Sequence, residues 1–251
     1  MKQPIITRDL ERKAIYTDIL YDPEWTYLEI DISEYNYHTL NISSHVIVDW
    51  GDGTIDENTS HQYADNRTED RIIIRIKGDI EPGYSTRPPI IPISISDSVT
   101  KVLQIGKFVT NCKYMFRYSP ELTEIESKIF QYANRVTDCS EMFFGCGKLE
   151  TINGPLFESY SKVEDVTRMF MSCLKLKTVH KNAFSYCKNL RTARGVFDNC
   201  PNLEGNVDGM FDGCVNLTNV SQAFGSCISL KAPTRDMFKG CVSLEDVSAT
   251  F

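Results

Sequence analysis

The sequence predicts a mainly β chain in two parts, a β-rich unit followed by a solenoid of 27-residue coils. Three observations carry that reading. From Phe116 onward a phenylalanine recurs at 130, 143, 157, 170, 184, 197, 211, 224, 238 and 251, at intervals alternating between 14 and 13 residues without an irregularity. All nine cysteines fall in the same region, beginning at Cys112. Charge divides likewise: residues 1–97 carry 9 basic against 18 acidic side chains, and the remaining 154 carry 18 against 16. A period of 27 residues lies within the range that marks stacked repeat architectures.

Residues 1–21 read as an arm or an added strand. Tyr27-Leu28-Glu29-Ile30-Asp31-Ile32 alternates apolar and polar residues, the pattern of a half-buried strand. Val46-Ile47-Val48-Asp49-Trp50-Gly51-Asp52-Gly53-Thr54 is a short apolar strand running into a glycine-rich turn. His61-Gln62-Tyr63 precedes a second β-rich run, Arg71 to Lys77. The stretch 81–97 contains Pro82, Pro88, Pro89 and Pro92; proline lacks an amide donor and restricts its predecessor, so a junction is expected there.

The array begins near residue 98 and holds about five and a half coils. Three residues after each phenylalanine of the series but Phe251 stands Ser119, Ala133, Cys146, Tyr160, Cys173, Cys187, Cys200, Cys214, Cys227 or Cys241, Tyr160 being the exception in size. Six residues after it stands a leucine or valine, from Leu122 and Val136 to Leu230 and Leu244. Period three fits neither a long helix nor a long strand. Short helical or 3₁₀ turns are expected at 142–146 and 169–173, with brief strands at Leu149–Ile152 and Leu176–Val179. Leu103, Gly106, Val109 and Cys112 fit one degenerate half-unit.

The segment Phe130 to Cys146 (F-Q-Y-A-N-R-V-T-D-C-S-E-M-F-F-G-C) resembles the repeat of BspA-like leucine-rich-repeat proteins, as does 160–173. The resemblance covers 98–251 and departs in the later coils, where both half-units take the Phe-x-x-Cys-x-x-Leu form. It implies a bacterial surface or bacteriophage protein. Residues 22–80 resemble a polycystic-kidney-disease-type (PKD), immunoglobulin-like β-sandwich through W-G-D-G-T at 50–54 and H-x-Y at 61–63. That family implies a spacer or binding module.

Composition excludes several classes. A net charge of −7 disfavours a partner bound through phosphate neutralisation, so no nucleic acid is expected. No apolar run is long enough to span a bilayer. The N-terminus meets charge before any apolar stretch, so no secretory signal is expected.

The cysteines fall into columns: Cys112 and Cys139; Cys146, Cys173, Cys200 and Cys227; Cys187, Cys214 and Cys241. Without C-x-x-C pairs they do not read as zinc ligands. Core packing is the main expectation, with disulfides between column neighbours as the alternative. Asp49, Asp52, Asp56 and Glu57 could hold calcium, but they lack the full D-x-[DN]-x-[DN]-G loop, which favours turn formation. His38, His45, His61 and His180 show neither metal nor triad spacing. No nucleophile elbow, P-loop or dinucleotide fingerprint is present. Glu150, Glu204 and Glu245 share their column with Lys177, Arg191 and Lys231, the pattern of a solvated mixed-charge face.

No catalytic residue, metal or cofactor is therefore expected. The chain reads as a non-enzymatic structural or binding protein, a virion component such as a phage decoration or fibre protein. A bacterial cell-surface adhesin and a polysaccharide-processing enzyme on the same scaffold are the alternatives. The sequence stops within the pattern, so Met237, Phe238, Leu244, Val247 and Phe251 are expected to dock on a carrier or virion protein, or on another copy of the chain. A host surface protein or glycan is a further candidate partner.

Overall fold

The computed structural model describes residues 22–33, 37–39, 46–58, 60–65, 70–78, 98–157, 161–185, 187–231 and 236–251. The expected N-terminal arm, the proline-rich stretch at 81–97 and Tyr160 lie outside them. The fold is mainly β, with no helix among the described residues.

One mixed eight-stranded sheet runs through both parts of the chain. β1 (Trp25–Asp31) pairs antiparallel with β6 (Arg71–Lys77) on one side and with β7 (Val99–Gln104) on the other. β3 (Ile47–Asp49) adds to β6, and β4 (Ile55–Asp56) closes that edge across the Gly51–Gly53 turn. Beyond β7, three two-residue strands continue in parallel: β8 (Glu124–Ile125), β9 (Thr151–Ile152) and β10 (Thr178–Val179). β2 (Tyr37–Thr39) and β5 (Ser60–Gln62) form a separate ribbon.

β1 is more enclosed than its alternation suggests. All of Thr26 to Ile30 is buried, including Glu29 at 5% exposure. A strand with neighbours on both sides keeps little surface, and the polar positions must find partners. Glu29 accepts a hydrogen bond from the Thr100 hydroxyl at 2.8 Å and faces Arg71 at 3.4 Å. Gly106 lets the chain pass close to β1, since a Cβ there would lie 2.9 Å from the Trp25 backbone.

From residue 111 onward, successive 27-residue rungs lie parallel. Asn111, Asp138, Asp165, Thr192, Asn219 and Asp246 form a chain of parallel bridges on one side, while β8, β9 and β10 align at the same spacing on the other. β7 is closer in sequence: Val102 pairs with Ile125, 23 residues on. The strand ladder stops after β10, where Leu203-Glu204-Gly205-Asn206 replaces the Leu-x-Thr-Val type of segment.

Two phenylalanine columns fill the interior. Phe116, Phe143, Phe170, Phe197, Phe224 and Phe251 stack at 5.3–5.6 Å between ring centroids. Phe130, Phe157, Phe184, Phe211 and Phe238 form the second at 4.6–6.0 Å. Such contacts contribute about 0.5–1.5 kcal/mol each beyond the burial itself.

The turns carrying the first column are not helical. Within 112–119, the amides of Met115, Arg117 and Ser119 close onto the carbonyls three residues earlier. The intervening amides of Cys112, Tyr114, Phe116 and Tyr118 instead donate to Asp138, Ser140, Met142 and Phe144 of the next rung, at 2.7–3.1 Å. A helix would keep all of these bonds within the segment. Positive φ at Tyr114 (63°) and Tyr118 (61°) prevents that, and the pair recurs at 141 and 145, 168 and 172, 195 and 199, 222 and 226.

Candidate functional site

The glycine-turn cluster of the first part is a packing centre. Trp50 is fully buried, His61 stacks on it at 5.1 Å, and Tyr63 meets His61 edge-on at 4.6 Å. The Tyr63 hydroxyl donates to the Trp50 carbonyl at 2.9 Å, and burial raises the Tyr63 phenol above its ordinary pKa. The two sequence landmarks, 13 residues apart, thus hold β3 against the residues following β5.

Of the carboxylates considered for calcium, Asp49, Asp52 and Asp56 are engaged locally. Asp49 pairs with Arg75 and accepts the Gly51 amide. Asp52 accepts the Thr54 amide at 3.0 Å and meets His61 Nε2 at 2.7 Å; these bonds outweigh burial and lower its carboxyl pKa. Asp56 accepts the Asn58 amide and faces the Trp50 indole N–H at 3.3 Å. Among the described residues, no group of three or more His, Cys, Asp or Glu could hold a metal ion.

All nine cysteines are free thiols; eight are buried, and Cys241 is half-buried. Cys146, Cys173, Cys200 and Cys227 each direct the thiol to the carbonyl of the column phenylalanine 30 residues earlier, at 3.1–3.2 Å. Cys214 and Cys241 do the same on Phe184 and Phe211 at 3.1 Å. Burial pushes Cys146 and Cys214 up to about 12, and Cys227 and Cys241 up to about 11. Protonated thiols bonded to backbone carbonyls suit packing and disfavour nucleophilic chemistry.

The charged columns pair between rungs. Lys148 meets Glu121 at 2.6 Å, Lys177 meets Glu150 at 3.0 Å and Arg191 meets Glu164 at 3.3 Å. These are partly exposed ion pairs, each worth little on its own.

Two ladders escaped the sequence reading. The side chains of Asn111, Asp138, Asp165, Asn219 and Asp246 each cap the amide two residues on, at 2.7–2.9 Å. Asn189, Asn202 and Asn216 donate to Ser161, Leu174 and Lys188 of the preceding rung at 2.7–2.8 Å. The first was visible as an Asn or Asp recurring five residues before a column phenylalanine.

The five residues expected to dock divide by exposure. Met237 is buried, and Phe238 and Leu244 are half-buried against the core. Val247 and Phe251 are 54% and 60% exposed, beside Val242 at 83%. One face of the Phe251 ring stacks on Phe224 at 5.6 Å. Among the described residues, no acceptor meets the amides of Phe238, Gly240, Val247, Ala249 and Phe251; the first two correspond to the paired amides of Phe211 and Gly213, the last three to those of Val220, Gln222 and Phe224.

No described helix is long and apolar enough to cross a membrane. Comparison with protein-family models, with curated proteins and with solved structures finds no match to this chain.

Proposed function

We propose that this chain is a non-enzymatic structural or binding protein, in which a PKD-type immunoglobulin-like module over 22–80 carries a leucine-rich-repeat-like solenoid over 98–251. Its proposed setting is a virion surface, as a decoration or fibre component, and its partner is a carrier or virion protein. The paired strands and the Trp50–His61–Tyr63 packing support the first module. The 27-residue register and the two phenylalanine columns support the second.

The observation that carries the functional reading is the face formed by the rung at 237–251. Val242, Val247 and Phe251 are exposed on this rung. Exposed apolar surface favours association.

Light scattering and co-sedimentation with native particles test this reading. The wild-type chain is expected to bind, and Val242→Glu combined with Val247→Glu to abolish binding while the fold survives. Equal behaviour of the two proteins, or absence of the chain from particles labelled with a specific antibody, would refute it.

A further inference from the structure

A cleft of about 440 Å³ opens where the start of β1 meets the first rungs, far in sequence from the face just described. Backbone bonds fix its frame: the Lys107 amide donates to the Pro23 carbonyl at 2.7 Å, and the Gln104 side-chain amide donates to the Asp22 and Trp25 carbonyls at 2.9 and 3.0 Å. Its lining combines two aromatic rings, Phe108 and Tyr132, with the amides Gln131 and Asn134 and the cations Lys107 and Arg135. The volume lies within the range of sites for small ligands.

The cations around the cleft are unequally engaged. Glu24 is shared by Lys107, at 2.7 Å, and Lys77, and the two ammonium groups hold its carboxyl down at about 2. Asp22 turns a carboxylate oxygen to the Glu24 amide at 2.9 Å. Arg135 is exposed and forms no ion pair among the described residues. Of the two cations that line the cleft, Lys107 is engaged by Glu24, and Arg135 presents a planar fork that matches a carboxylate in two-point contact.

We propose that this cleft binds an anionic sugar, a uronic or sialic acid unit of a glycan. Phe108, one face of which carries the Lys107 ammonium at 5.0 Å, and Tyr132 supply the aromatic surface for the pyranose ring. Gln131 and Asn134 bond its hydroxyls, and Arg135 pairs with its carboxylate. The requirement for aromatic surface as well as charge separates this ligand from a simple anion. The proposal is independent of the docking face at 237–251, so either can fail alone.

Titration calorimetry on the full chain at physiological salt tests it, with trigalacturonate and 3′-sialyllactose as probes and lactose as the neutral control. At least one acidic sugar is expected to bind saturably, about tenfold or more tightly than lactose. Arg135→Gln should weaken that binding about tenfold, and Tyr132→Leu should weaken it as well. Thermal unfolding verifies that each variant is folded, and Asn134→Ala serves as a further surface variant should Tyr132→Leu fail to fold. Binding of neither acidic sugar would overturn the proposal. So would acidic-sugar affinity unchanged in both Arg135→Gln and the folded aromatic or amide variant, or lactose binding equal to that of the acids.

Discussion

Gly145 and Gln222 occupy the same left-handed conformation for opposite reasons. At Gly145 (φ 72°) a Cβ would stand 2.4 Å from the Tyr118 ring, so both backbone and space require glycine. Gln222 (φ 58°) is exposed and bears the conformational penalty with its side chain in solvent. Gly145→Ala is expected to destabilise by about 1–3 kcal/mol, and Gln222→Gly to be neutral or stabilising by up to about 1 kcal/mol. Denaturant unfolding of the two variants checks the pair; a loss at both positions would contradict the assignment.

The thiols set a pH dependence with a definite sign. Below the ordinary thiol value of 9.0, cysteine is neutral whether the chain is folded or not. As pH rises, unfolded cysteine ionises first, while Cys227 and Cys241 remain protonated to about 11, and Cys146 and Cys214 to about 12. Their contribution is therefore present below about 9 and is lost as pH climbs through 11 to 12. Thiolate absorbance should appear only as circular dichroism reports unfolding. Ionisation near the ordinary value in a chain still folded would contradict this. A thiol assay in denaturant without reductant should likewise count all nine.

At the scale of elements, Tyr63 ties the residue after β5 to the end of β3. Tyr63→Phe keeps the ring contact with His61 but leaves the Trp50 carbonyl without its 2.9 Å donor. The expected loss is about 1–3 kcal/mol, the cost of a buried polar group left unpaired. Urea unfolding should register it as a lower midpoint with an unchanged slope. Wild-type stability in this variant would mean that water replaces the hydroxyl.

Across the whole molecule, the array depends on phase. Deleting 144–170 removes one rung and brings Cys139 opposite Thr192, as it now stands opposite Asp165. Deleting 144–156 instead exchanges the strand side for the bridge side in every later rung. The first deletion should retain cooperative unfolding and the second should lose much of it, because each rung is stabilised chiefly by its neighbours. Equal melting of the two would refute the 27-residue register.

Side-chain recurrence was legible in the chain itself. Phenylalanine at 14 and 13, cysteine three residues later and leucine six residues later reappear as stacked rings and bonded thiols, because repeated rungs place like residues above one another. The Trp50 and His61–Tyr63 landmarks likewise meet in one cluster. Backbone direction was not legible. Tyr114, Glu141 and Arg168 do not announce a left-handed conformation as glycine would, so segments read as short helical turns instead send alternate amides to the next rung. Nor could alternation in Tyr27–Ile32 show that β7, some 70 residues on, would flank β1 and bury Glu29. The cleft arises from the same long-range pairing, which brings Pro23 and Lys107 together beside 131–135. Periodicity records which side chains share a column; which carbonyl an amide reaches, and which distant strand covers a face, is decided when the chain closes on itself and every buried donor must find an acceptor.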